Sequence, residues 1–309
     1  MRGAMYNSRG NQCWMNCAFT LPALVYDAAV TGDEGDLHKL LRRIRDYLLS
    51  GNVDHQKSLT LGYETATFVR NHWSGHFPRS DTAMDDAVAL FPYVLELMIR
   101  ERSAHTAEGW SPFSVFRVQR IQCYNCHHVS ELQEEDNFVR YGLDFDGHPI
   151  GEPVYVQRVV DRFVYEAGYE FEANCDHCHT FAKKERVSAP STELKPSMVA
   201  VLLYRGERSA TRVPRLEHVH PSSVRITLCG LNYVIAGVCS HDGIGHWVNY
   251  LFPRDNSVVY ISNHEVHMRT GVAAHMKTAS VLLYKLDDGP PVNALPGYVS
   301  LCVLGWVDD

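Results

Sequence analysis

The sequence contains no uninterrupted apolar run of the roughly 18 residues that a membrane-spanning helix requires. The apolar stretch from Trp14 to Val30 is broken by Asn16, Pro22 and Asp27, so it reads as the start of a buried helix. The opening MRGAMYNSRGNQ is too polar for a secretion signal, and no membrane association is expected. Positive charge is also short: 29 Lys and Arg stand against 36 Asp and Glu, a formal charge of −7. Nucleic acid is therefore excluded as the main partner, because a phosphate backbone demands a basic face. A basic partner or peptide fits this balance better. Internal repeats and low-complexity tracts are absent. So is the pattern of a disulfide framework, since nine cysteines are an odd number and their spacing is uneven.

What is present is a globular composition, 45% hydrophobic, enough for a sizeable core in one large domain or two ordinary ones. Two cysteine pairs stand out, CYNC at Cys123 and Cys126 and CDHC at Cys175 and Cys178. Paired C-x-x-C units on tight turns present four thiolates to one tetrahedral zinc, as in a zinc ribbon; the alternatives are unrelated thiols or a redox C-x-x-C. Four thiolates fill the shell and leave no position for water, so the zinc is expected to be structural. His127, His128, His177 and His179 flank the knuckles, either as solvated turn residues or in place of a thiolate. Thiols kept reduced for metal point to the cytosol or nucleus.

The chain divides by pattern. In DLHKLLRRIRDYLL, Leu37, Leu40, Leu41, Ile44 and Leu48 share one helical face, with Asp36 as the expected N-cap and Gly51 as the stop. In DDAVALFPYVLELM the stripe is Ala87, Leu90, Phe91, Val94, Leu95 and Met98, and Pro92 is tolerated only near the first turn or at a kink. Between the knuckles, EPVYVQRVVDRFVYEA reads as short extended runs. From Pro196 onward VAVLLY, VRITLCG, NYVIAGVCS, HWVNYLF, SVVYIS and SVLLYKL are strand-like runs separated by turn residues, which predicts a mainly antiparallel sheet.

Cys13 precedes the first helical run and His246 enters a strand through a glycine turn in SHDGIGHWVNY. A thiol at a helix N-terminus beside a protonated imidazole becomes a nucleophilic thiolate, and a third polar side chain must fix the imidazole tautomer. Asn263, one hairpin further on in YISNHEV, is expected in that role. Seventeen histidines make coincidence easy, so spacing alone leaves this triad open.

Gly10, Asn11, Cys13 and Asn16 follow the form G-N-x-C-x-x-N, Asp86 and Ala87 fall on the D-A of a Q-Q-D-A-x-E-F-L box, and YVIAGVCSHDGIGHW is close to Y-x-L-x-A-V-x-x-H-x-G followed by G-H-Y. These motifs, with KPSMVAVLLYRG and ASVLLYKL as later strands and the two knuckles between, resemble in order the catalytic domain of the ubiquitin-specific proteases. The resemblance covers about residues 5 to 286. It implies an α+β, papain-like cysteine peptidase: a helical thumb (1–115), zinc-ribbon fingers (116–190) and a mainly antiparallel β palm (191–286). Residues 287–309 form a C-terminal extension without an assigned role. It implies a monomeric deubiquitinating hydrolase that cuts the (iso)peptide bond after the C-terminal Gly of ubiquitin, through Cys13, His246 and Asn263 and a thioester. Other ubiquitin-like modifiers, a Gly-Gly polyprotein site, or a non-catalytic ubiquitin-binding module remain as alternatives.

The departures from the family pattern carry their own expectations. Ser8 stands where the family places an oxyanion-stabilising Asn, and a missing donor costs on the order of 10² to 10³ in rate. Ser8, the neighbouring Asn7 and the backbone at Gln12 and Cys13 are the candidate donors. His264 stands where an acidic residue is common. Asp85 and Asp86 are candidates to meet the arginines of a ubiquitin tail, or else they cap the helix at Ala87. His241 and Trp247 are further substrate-binding candidates. Cys17, one turn after Cys13, is a resolving thiol or core packing; Cys229, Cys239 and Cys302 read as packed on strands.

Overall fold

The computed structural model describes residues 13–25, 35–50, 54–77, 86–103, 113, 115–143, 146–165, 169–190, 196–205, 207–208, 213–214, 217–241, 246–253, 257–262 and 266–287. The expectations for Asn7, Ser8, Gln12, Gly51, Asp85, Asn263, Cys302 and residues 288–309 lie outside them. The described part opens with four helices, α1 (Cys13–Val25), α2 (Asp36–Leu49), α3 (His55–Trp73) and α4 (Ala87–Ser103). Then come β1 (Val115–Cys123), β2 (Val129–Asp136), β3 (Val139–Gly142), α5 (Val156–Val164), β4 (Tyr169–Asn174), β5 (Phe181–Pro190), β6 (Met198–Tyr204) and the short pair β7 (Glu207–Arg208) and β8 (Val213–Pro214). The chain continues as β9 (Arg225–Leu228), β10 (Leu231–His241), β11 (Trp247–Leu251), β12 (Ser257–Ile261), β13 (Val266–Thr270), α6 (Val272–His275) and β14 (Ala279–Leu286). No described helix is long and apolar enough to cross a membrane.

Every residue of α1 is buried, as its apolar circumference requires, so α1 is the central helix with other elements on all sides. The stripes read from sequence on α2 and α4 are all buried. The caps differ from expectation. Asp36 is the first helical residue, and Gly35 occupies the N-cap with no side chain to offer. The free N–H groups are taken by Glu101 of α4, whose carboxylate accepts from Leu37 N and His38 N at 3.1 Å and lies 2.8 Å from His38 Nδ1. A Cβ at Gly35 would meet that carboxyl carbon at 2.0 Å, so glycine is what lets Glu101 in. Pro92 sits at the sixth position of α4, beyond the first turn, where it withholds the helical bond to the Val88 carbonyl.

Among the described residues the large sheet has eight strands, in the order β13-β12-β11-β10-β14-β6-β3 with β9 also on β10, and of these pairs only β3–β6 is parallel. Side chains of β6 alternate between two cores. Met198, Ala200 and Leu202 pack toward α1–α4, while Val199, Val201 and Leu203 pack with α5. Burial on both faces is why these strands read as continuous apolar runs. α5 itself corrects the sequence reading of extended runs: Val156, Val159, Val160 and Val164 are buried at helical spacing. The β-branched valines suggest a strand, but the three-to-four spacing prevails because it gives the second core one continuous stripe.

A separate four-stranded antiparallel sheet, β2-β1-β5-β4, carries both C-x-x-C turns. Between β2 and β4 the chain leaves it to supply β3 and α5 to the large sheet and its second core.

Candidate active site and metal centre

Cys13 is the first residue of α1 and is 3% exposed. The backbone N–H groups of Trp247 and Trp14 act on its sulfur. Burial pushes the thiol above its ordinary value, and these donors oppose the rise. Trp247 opens β11, which packs against α1, and His246 precedes it in sequence. The seam is tied further along, where Asn249 Nδ2 donates to the Cys17 carbonyl at 3.3 Å across 232 residues of sequence. It also demands close approach. A Cβ at Gly237, at a bulge of β10, would lie 2.7 Å from Leu21 Cδ1 of α1 and 3.2 Å from the Tyr250 carbonyl.

His246 is half-buried, and its Nε2 lies 3.0 Å from Ser262 Oγ. His241 pairs across the strands with Trp247, their rings edge-to-face at 4.9 Å. Both are buried, Trp247 within the core beneath α1, so the part of Trp247 that serves the site is its backbone N–H. Asp86 accepts from Val88 N at 2.8 Å and so caps α4. The structure therefore pairs His241 with Trp247 and His246 with Ser262, on the strand that packs against the helix opening at Cys13.

The remaining cysteines near the seam are packed. Cys17 is hydrogen-bonded to Cys239, and burial, then that thiol, hold Cys17 well above the usual thiol range. A sulfur kept protonated in this way is poorly suited to resolve an oxidised neighbour. Cys229 is not on a strand: with Gly230 it forms the two-residue turn between β9 and β10, both at positive φ (52° and 74°).

At the other site, the sulfurs of Cys123, Cys126, Cys175 and Cys178 all lie within 4.8 Å of one another, so the four cysteines are positioned to hold a metal ion. Cys126 and Cys175 are 3.7 Å apart, far beyond a disulfide bond and close to the roughly 3.8 Å edge of a tetrahedron with 2.3 Å metal–sulfur bonds. The two turns are built alike. His127 N bonds Cys123 O and His179 N bonds Cys175 O, both at 2.8 Å, and both histidines take positive φ (58° and 54°). Thr180, by side chain and backbone, pulls the Cys178 thiol down to about 5. Cys126 is pushed up to about 12: the His128 N–H acts in the opposite direction but is outweighed by desolvation and the three crowding sulfurs. Four thiols pressed together cannot all ionise without a cation among them, which is the condition a divalent metal satisfies. His128 and His177 stack on each other at 4.4 Å outside this cluster.

Sequence reasoning named the four clustered cysteines and Cys13, and read Cys17 and Cys239 as packed, but missed Ser262, the Trp247 N–H and the Asn249 contact to Cys17. Ser262 was within reach, being in the quoted hairpin end. The other contacts carry no sequence signal, because they depend on how α1 lies on the sheet.

No protein-family model and no curated protein matches the sequence. Solved structures do match. The SAGA DUB module Ubp8/Sgf11/Sus1/Sgf73 bound to monoubiquitin is similar at a TM-score of 0.62 and 13% identity, covering 94% of this chain and 70% of that one. The same module bound to ubiquitin aldehyde is similar at 0.64 and 11% identity, with the same coverage. At the level of fold, the resemblance to ubiquitin-specific proteases holds. It is a mixed fold of helices and sheets, and both neighbours are multi-protein assemblies, which lend no support to the monomer expectation.

Proposed function

We propose that this chain is a cysteine-type deubiquitinase, hydrolysing the (iso)peptide bond after the C-terminal glycine of ubiquitin. The observation that carries this reading is a fold shared with ubiquitin-bound DUB modules, in which the helix that opens at Cys13 is tied by the Asn249–Cys17 hydrogen bond to the strand that follows His246. Cys13, as thiolate, attacks the scissile carbonyl. His246 takes the thiol proton and returns it to the leaving amine, and water then resolves the thioester. Backbone amides at the start of α1, with Ser8, Asn7 or Gln12, are the proposed donors to the oxyanion. Asp86, which caps α4, and Asp85 are the proposed contacts for a basic substrate tail, with His241 as a further candidate.

In the terms of the resemblance, α1–α4 form the thumb, the four-stranded sheet the fingers and the eight-stranded sheet the palm. The four cysteines would hold structural Zn2+, which supplies no chemistry to the reaction. Reduced thiols fit a cytosolic or nuclear setting. Burial of the Cys13 thiol favours one second reading, a ubiquitin-binding module of low catalytic rate.

The test is reaction with a ubiquitin whose C-terminus carries a thiol-reactive warhead, followed by mass, for the intact chain and Cys13→Ala. A single adduct, lost in the variant, is expected. Binding without adduct would support the low-rate module, and neither binding nor adduct would direct the search to other modifiers.

A further inference from the structure

We propose that Ser262 is the positioning residue for His246, the side chain that holds its ring in the tautomer and orientation a proton-accepting imidazole needs. The inference rests on the hydrolase reading above and deepens it. β11 and β12 pair in the register Asn249↔Ile261, and carrying that register one step further sets Ser262 opposite Val248. His246 is then two residues along from Val248, on the same side of the pleat, the diagonal relation in which side chains of adjacent strands reach one another. The observed contact is His246 Nε2 to Ser262 Oγ, 3.0 Å. Both residues sit one position outside their strands, His246 before Trp247 and Ser262 after Ile261, so each is anchored by a paired, buried neighbour. Such anchoring keeps a ring in place without immobilising the acceptor itself.

The chemistry follows from the atom engaged. An imidazole that gives its Nε2–H to the Ser262 oxygen carries its lone pair on Nδ1, and in that form it can take a proton from the Cys13 thiol. Serine differs from a carboxylate in adding no charge to the site. It orients the neutral ring and the imidazolium equally, through one hydrogen bond of ordinary strength. Its removal is therefore expected to lower kcat about tenfold, not by the several orders expected when a charged partner is lost.

The experiment compares the full chain with Ser262→Ala, Ser262→Asn and Ser262→Thr. The ring nitrogens of His246 are read by ¹⁵N NMR, assigned by their disappearance in His246→Gln, and turnover is followed on a ubiquitin fused through its C-terminal glycine to a fluorophore. In the wild type, Nε2 is expected as the protonated nitrogen. Ser262→Ala should shift the His246 signals and lower kcat about tenfold with KM and Tm unchanged, and Asn and Thr should restore both readouts. His246 signals unmoved in Ser262→Ala would overturn the proposal whatever the rate does. If the wild type neither turns over ubiquitin nor reacts with the warhead, while the NMR pattern holds, the substrate reading fails and the positioning role stands.

Discussion

Seven of the described cysteines fall into two groups that the protein treats in opposite ways. Cys13, Cys17 and Cys239 lie under helices and sheet, separated by pleat and helical turn, and burial keeps Cys13 and Cys17 in the thiol form. Cys123, Cys126, Cys175 and Cys178 lie at the turns of a mostly polar sheet with their sulfurs in mutual reach, and the Cys126 N–H at Cys123 and the Thr180 side chain and N–H at Cys178 favour ionisation. The difference shows that a cysteine's chemistry is set by its surroundings and not by residue type. A crowd of sulfurs calls for a cation, whereas one buried sulfur at a helix start needs a proton acceptor beside it.

The comparison breaks most sharply on metal removal. A strong chelator should destabilise the four-stranded sheet by an amount on the order of 10 kcal/mol, as for small zinc-bound units. Alkylation followed by peptide mass mapping should then label Cys123, Cys126, Cys175 and Cys178, while Cys17 and Cys239 stay protected until global unfolding. Equal labelling of the four with and without chelator would refute a metal-held sheet. On the buried side, Glu101→Ala removes the cap of α2 and the partner of buried His38, for an expected loss of about 2 to 3 kcal/mol by denaturant melting. Burial raises the Glu101 carboxyl, but hydrogen bonds from His38 and Leu37 outweigh it, so the folded value lies below the ordinary 4.5. This stability is thus fully present above pH 4.5 and is lost as pH falls through the lower, folded value; the variant should show a flatter acid limb.

Gly237→Ala forces Leu21 away from β10 and should cost about 1 to 3 kcal/mol, with slower warhead labelling because the α1 seam opens. The smallest expected effect is on pH. With the Cys13 thiol raised above its ordinary 9.0, alkylation by iodoacetamide in the absence of ubiquitin should accelerate only above that pH. Because the raised group favours the thiol, its contribution to stability is complete below pH 9.0 and is lost as pH rises through the folded value. Ready alkylation of Cys13 at pH 7 would instead mean that His246 already holds it as thiolate.

Local code accounts for much of this molecule. The C-x-x-C turns close within a few residues, so their spacing alone announced four converging sulfurs. The stripes of α2 and α4 follow from helical period, and the runs of β6 and β14 from burial on both faces of a sheet. α5 was misread because valine content was weighed above valine spacing.

The sequence by itself determined most of the elements and the two C-x-x-C turns, since each is written in residues near one another. Tertiary structure alone decided that Glu101 caps a helix 64 residues away, that the Trp247 N–H meets Cys13, and that His246 is met by Ser262. The physical reason is strand register: side chains alternate faces, so a one-residue difference in pairing decides which of two adjacent polar residues meets the imidazole, and sequence spacing does not resolve a single residue.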